Sequence, residues 1–195
     1  LCGDVFFYTL STLVLLEINA YGVAQLGLGP TMASLLPGGL MLGICAGAGL
    51  AARRARGDWR RSVPRACAGI GLLLAVAGGV PAAPEAFRFG LLFACYAAVG
   101  ICGSLYIVPV SSQIQLLPAA EEKGRILGTS NFFSFSGMAL AGPIYALLSF
   151  LPPSVAHILL GGLTLIWAVF FARRLKAAFP DGDDGGSRSG TGDEE

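Results

Sequence analysis

Residues 31–65 read TMASLLPGGLMLGICAGAGLAARRARGDWRRSVPR, and this stretch decides what kind of protein the chain is. Its first 22 residues carry no charge, and the next 13 hold six arginines. A helix crossing the roughly 30 Å hydrocarbon core needs about 20 mostly apolar residues, which 31–52 supplies. The arginines that follow mark a membrane side, because Lys and Arg are retained on the cytoplasmic face. The same contrast runs through the whole chain of 195 residues, which is 54% hydrophobic and 13% charged, with a mean hydropathy of +0.70. A soluble domain carries about 25% charged residues. More than half of the Lys, Arg, Asp and Glu lie within 53–65 or beyond Pro180, so the rest is nearly charge-free. That excludes a water-soluble globule, whose surface needs mixed charge. A net charge of +1 supplies no phosphate-neutralising face, so no nucleic acid is expected as a partner. The five cysteines form no C-x-x-C pair and have no His or acidic cluster beside them, which excludes a disulfide scaffold and a metal set. The chain reads as an all-α integral membrane protein whose first partner is the lipid bilayer.

Six segments qualify or nearly qualify as spans: 5–23, 31–52, 66–80, 89–117, 127–151 and 155–171. Together they make a six-helix transmembrane domain over 1–176. The third and sixth are short and are expected to draw flanking residues into the interface. The fourth is long and contains Pro109, where a kink is expected. Arginines and lysines crowd the loops after spans two and four and the end of span six, whereas the opposite loops hold only Arg88. Both termini of the segment are therefore expected in the cytoplasm. The tail 177–195 is rich in Gly, Ser and acidic residues without an apolar anchor, and reads as disordered. The chain opens at Leu1 without the features of a signal peptide, so it is expected to be a fragment with an upstream part missing.

Small residues dominate the spans. Gly39, Gly43 and Gly47 recur every four residues in span two, a groove in which another backbone can approach closely. Polar residues inside a membrane are expensive and therefore informative. Glu17 is the one acid read as deep within a span, and Asn19 sits about 200° around the same helix, so the two face different surroundings. Two readings of Glu17 stand: a group in a water-filled pathway, or a protonated carboxyl bonded to a neighbouring helix. In span five, Asn131, Ser134 and Met138 share one face, and Asn131 is placed either at a head group or in an interhelical hydrogen bond. His157 reads as an interfacial residue at the mouth of span six. No nucleophile elbow, phosphate-binding loop or acyltransferase pair is present, so no catalytic residue and no cofactor is expected, and a transporter is favoured over an enzyme.

Several motifs then carry a resemblance. Gly3-Asp4-Val5-Phe6-Phe7 leads to Leu15-Leu16-Glu17-Ile18-Asn19-Ala20-Tyr21-Gly22 and then Leu26-Gly27-Leu28. A glycine-rich run from Leu42 to Gly49 enters the arginine loop. Tyr106-Ile107-Val108-Pro109 runs through Gln115 to Glu121-Glu122-Lys123-Gly124-Arg125-Ile126-Leu127, and then to Thr129-Ser130-Asn131-Phe132-Phe133 and Gly137. These pieces resemble spans seven, eight, ten and eleven of the lysophospholipid-transporter branch of the major facilitator superfamily, over nearly the whole chain except the tail. The resemblance implies the C-terminal six-helix half of a twelve-helix transporter, built as a 3+3 inverted repeat. It further implies an N-terminal six-helix half as partner, a bacterial inner-membrane location, and inward movement of lysophospholipids by alternating access. In that family the first and fourth spans of each half line the cavity, which implies Glu17 and Ser104 as pathway residues, with Asn131 in a supporting role. Phe132, Phe133 and Phe135 are candidates for an apolar wall beside the acyl chain. Two positions depart from the pattern. Glu17 stands where the branch has an amide, and the usual acidic residue after span two is replaced at a shifted position by Asp58. The alternatives carried forward are a proton-coupled exporter of small amphiphilic molecules, with Glu17 as proton carrier, and the membrane domain of a fused lipid-acylating enzyme.

Overall fold

The computed structural model describes residues 2–53 and 58–178. Arg54, Arg56 and the tail from 179 onward, for which disorder is expected, lie outside the described residues. Helix α1 (Cys2–Ala20) passes into a π-helical turn (Tyr21–Gln25); α2 (Pro30–Arg53), α3 (Trp59–Gly78), α4 (Glu85–Leu116), α5 (Ala120–Leu148) and α6 (Pro153–Ala178) follow. All six are long and apolar enough to cross a membrane, and no strand occurs among the described residues.

The helix ends differ from the hydropathy boundaries for identifiable reasons. The third helix begins at Trp59 rather than at 66, because Asp58 caps it: its side chain accepts the Arg60 N–H at 3.0 Å. The same carboxylate pairs with Arg61 at 3.3 Å, so it is committed to the first turn of its own helix. Helix α3 thus extends through arginines that a hydropathy window assigns to the loop. Helix α4 continues unbroken through Pro109. At the far end of α1, the π turn bonds Leu26 N–H to Tyr21 C=O at 3.1 Å, and Gly27 takes a left-handed φ of 62° to release the chain toward α2.

Glycine seams hold three helix pairs together. A Cβ on Gly43 would overlap the Ala97 carbonyl oxygen and lie 2.7 Å from its carbon; Gly39 abuts Phe93, and Gly47 abuts Ile101. The paired numbers rise together, so α2 and α4 run parallel. The groove read from Gly39, Gly43 and Gly47 is thus occupied by the backbone of α4. Gly71 and Gly161 face one another across α3 and α6, where a Cβ on either would lie 2.6–2.8 Å from the other's carbonyl oxygen. Gly78 meets Ser154 and Ile158 further along, so α3 and α6 are antiparallel. Helices α1 and α5 run parallel, with Gly137 against Val5 and Thr9. This alternation gathers Arg53, Arg60, Arg61, Arg65, Lys123, Arg125, Arg173, Arg174 and Lys176 at one end of the bundle, with Arg88 at the other. Large apolar side chains such as Leu42, Leu147, Phe150 and Ile166 stand exposed on the outer faces, as a lipid solvent requires.

Candidate functional site

A cleft of about 320 Å³ opens at the basic end between α1, α4 and α5. Asp4 and Tyr8 come from α1, one turn apart; Ser111, Ile114 and Gln115 come from the last turns of α4; Leu127, Ser130, Asn131, Ser134, Phe135 and Met138 come from α5. The face of α5 expected from the spacing of Asn131, Ser134 and Met138 is the face that lines it. The dominant feature of its wall is Asp4, which is 6% exposed. Its Oδ2 accepts hydrogen bonds from the Ser134 hydroxyl at 2.8 Å and the Ser130 hydroxyl at 3.0 Å. A buried carboxylate is costly unless hydrogen-bonded, and these two hydroxyls supply the bonds. Ion pairs join Asp58 to Arg61, Glu85 to Arg88 and Glu122 to Arg125, and among the described residues none is formed by Asp4. Oδ1 is bonded by neither serine.

A separate apolar groove lies further along α1 and α4, toward the middle of the bundle. It is formed by Phe7, Leu10, Ser11, Val14 and Leu15 of α1, Leu40, Met41 and Ile44 of α2, Ile70 of α3, and Val99, Gly100 and Gly103 of α4. At 100° per residue, Asp4, Tyr8, Ser11 and Leu15 fall on one face of α1. Gly100, Gly103, Ser111 and Ile114 likewise share one face of α4. Over roughly 16 Å, the rise from residue 4 to residue 15, the two helices therefore present a surface that is polar at the basic end and mostly apolar beyond it.

A second polar cluster lies deeper and toward the other end. Glu17 is 2% exposed, its Oε1 has no hydrogen-bond partner, and it borders neither the cleft nor the groove. Asn19 is exposed, on the other side of the helix as its spacing requires. Glu17 is within electrostatic reach of Tyr96, whose hydroxyl lies 2.8 Å from His157 Nε2. His157 Nδ1 lies 2.8 Å from the Pro153 carbonyl oxygen. A carbonyl only accepts, so Nδ1 carries the proton, and Nε2 accepts from the Tyr96 hydroxyl. His157 stands four residues into α6, at the end of the span as its place in the sequence requires, and is fully buried within the bundle, where the Tyr21 and Tyr96 rings cover the imidazole. Tyr21 itself donates to the Ala77 carbonyl at 2.6 Å. From the π turn, Gln25 grips the start of α6 twice: its Nε2 donates to Ser154 Oγ, and its Oε1 accepts Ser154 N–H, both at 2.7 Å.

Of the three residues taken as pathway candidates, then, Asn131 lines the cleft, whereas Glu17 and Ser104 do not. Ser104 is buried at the α2–α4 seam, where its hydroxyl donates to the Ile44 carbonyl at 2.9 Å beside Gly47. Phe132 and Phe133 point outward, and Phe135 contributes to the cleft. Asp4 was missed because it stands at the edge of its span, where an acid reads as a boundary. The available signal was the Ser130–Ser134 pair, one turn apart on a membrane helix and facing something that wants two hydroxyl donors. Among the described residues no group of three His, Cys, Asp or Glu is placed to hold a metal ion. Neither protein-family models, nor curated proteins, nor solved structures give a match to this chain.

Proposed function

We propose that the chain is the C-terminal half of a facilitator-type transporter that moves lysophospholipids across a bacterial inner membrane by alternating access, with its basic end in the cytoplasm. The observation that carries the reading is the α1–α4 surface, polar at Asp4 and apolar from Ser11 to Leu15. A single-chain amphiphile has that same order of head and tail. In this reading the cleft and groove form one wall of a path completed by an N-terminal six-helix half. Helix pairing supports a 3+3 inverted repeat. Under exchange of each helix with the one three places later, the parallel pair α1–α5 becomes α4–α2, also parallel, and α3–α6 maps onto itself. Close glycine contacts at these crossings suit helices that rock against one another. The basic end is oriented by its arginines, which also suit an anionic leaflet surface.

A second reading, a proton-coupled exporter of small amphiphiles, is favoured by one observation, the unpartnered Oε1 of buried Glu17. The test reconstitutes the complete gene product in proteoliposomes and follows labelled lysophosphatidylethanolamine with and without an imposed proton gradient. Gradient-independent movement is expected. Movement only with the gradient favours the second reading, and no movement under either condition overturns lysophospholipid transport.

A further inference from the structure

Resting on the proposed function, we infer that the Asp4 cleft is a subsite for the ammonium group of the substrate, so that the protein discriminates between amphiphiles by the charge at the end of the head group. Three independent features of the cleft lead there. The first is a buried carboxyl group without a cation: Asp4 is 94% buried, by its 6% exposure, and among the described residues it pairs with no Lys or Arg. The second is the placement of its hydrogen bonds. Ser130 and Ser134 both direct their protons at Oδ2, so that neither serine occupies Oδ1 of this cleft-lining residue. The third is the remaining lining. Tyr8, Ser111, Gln115 and Asn131 are neutral groups that can accept from an N–H as well as donate, and no cationic residue is among them.

A buried carboxylate without a cation is retained at a cost of several kcal/mol unless a partner neutralises it. A primary ammonium supplies the missing charge and three donors: one for Oδ1 and two for the hydroxyl and amide oxygens around it. A phosphate in the same place would meet Asp4 as a like charge, so the phosphodiester of a lysophospholipid is held outside the inner wall of the cleft. The acyl chain then follows the α1–α4 face past Ser11 toward Leu15. The same oxygen would also attract an inorganic cation such as Na⁺. A serine hydroxyl keeps its lone pairs while donating to Asp4, so the sodium dependence of binding is what separates the two cations.

The experiment compares lysophosphatidylethanolamine with lysophosphatidylglycerol of identical acyl chain, which shares the phosphate and lacks the ammonium. Two readouts are taken on the full-length protein: binding to the purified protein in detergent, and translocation in proteoliposomes. The wild type is expected to bind the ethanolamine lipid about tenfold more tightly, and Asp4→Asn to abolish that preference while the glycerol lipid binds as before. Equal binding of both lipids by the wild type overturns the inference, as does a preference that survives Asp4→Asn. Ser134→Ala retains the carboxylate with one donor fewer and is expected to weaken the preference severalfold. It therefore serves where Asp4→Asn fails to fold, and a preference unchanged in Ser134→Ala counts against the inference. A preference that appears only with sodium in the buffer also overturns it, in favour of an inorganic cation. Absence of translocation of either lipid, with the binding preference intact, sinks the transport reading and leaves the ammonium subsite standing.

Discussion

Gly43→Ala is the sharpest test of the packing on which everything else is built. In the native seam a methyl at Gly43 would overlap the Ala97 carbonyl oxygen and lie 2.7 Å and 2.9 Å from the Ala97 carbonyl carbon and Cα. Carbon atoms settle at about 3.5–4.0 Å, so α2 and α4 must separate by roughly 1 Å. The obstacle is backbone, which has no rotamer with which to escape. Gly100 presses from the other helix, where an added Cβ would sit 2.8 Å from the Ile44 nitrogen. Overpacking of this kind costs about 1–3 kcal/mol. The better helix propensity of Ala returns up to about 1 kcal/mol. A net loss of about 1–2 kcal/mol lowers the melting temperature by roughly 3–6 °C for a chain of this size. The assay is thermal unfolding in detergent, read by a thiol-reactive dye that reaches the buried Cys67 and Cys95 once the exposed Cys2 and Cys45 have been blocked. Gly49→Ala is the control, because a methyl there meets nothing within 4 Å, and its melting temperature is expected to stay level or rise slightly. A Gly43→Ala protein as stable as the Gly49→Ala control refutes the seam.

Three further outcomes follow from the polar contacts and the charge distribution. Tyr96→Phe strands the Nε2 of fully buried His157 and is expected to cost about 1–3 kcal/mol, measured by the same melt; a change within 0.5 kcal/mol, the scatter of neutral substitutions, counts against the assigned tautomer. Gln25→Ala removes both bonds to Ser154, each worth about 0.6 kcal/mol and at most about 1.7 kcal/mol between membrane helices, so a loss of about 1–3 kcal/mol is expected. Single cysteines introduced as Arg61→Cys and Ala83→Cys in a cysteine-free background should label with an impermeant maleimide from opposite sides of the membrane, Arg61→Cys from the cytoplasm. Labelling of both from one side contradicts the six-span topology.

What the sequence made legible, and what it hid, divides along a physical line. Spans are set by length and hydropathy, and the bundle's helices appear where runs of apolar residues demand them. The starts of α3 and α5 and the end of α6 were the exceptions, each reaching seven residues past the apolar run into charged sequence, so that 177 and 178, expected in the tail, belong to α6; at α3 the cause is a cap at Asp58, a local hydrogen bond that hydropathy does not register. The four-residue spacing of Gly39, Gly43 and Gly47 announced a close backbone approach, although nothing in it said that the partner is α4. The face of Asn131, Ser134 and Met138 was readable for the same reason: periodicity within one helix is a property of sequence. Which face meets which helix is not. Asp4 and its serines are 126 and 130 residues apart in the chain. His157 meets a tyrosine 61 residues away. Ser104 looked available because a hydroxyl on α4 is equally well placed, by sequence, for a cavity or for a neighbouring carbonyl. Here the close approach at Gly47 brings the Ile44 carbonyl to it.

The two acids of α1 show how far this matters for mechanism. Asp4 and Glu17 are 13 residues apart, about 20 Å along the helix and some 220° around it, so one surface cannot hold both. Asp4 faces α5 and the cleft; Glu17 faces the interior near Tyr96. A pathway that uses the α1–α4 surface therefore depends on Asp4 and treats Glu17 as part of the wall behind it. Glu17→Gln is isosteric and neutral, and an ionised carboxylate without a partner in that interior would cost several kcal/mol. The substitution is thus expected to leave the melting temperature level or higher, and to leave lysophosphatidylethanolamine translocation within about twofold of the wild type, with or without a proton gradient. Asp4→Asn in the same assay should slow it about tenfold. The reverse pattern, in which translocation is gradient-driven and is lost in Glu17→Gln but kept in Asp4→Asn, would move the reacting group to the buried cluster. Glu17, Tyr96 and His157 would then form the proton-handling centre of an exporter, and the cleft would be a structural polar contact between α1 and α5.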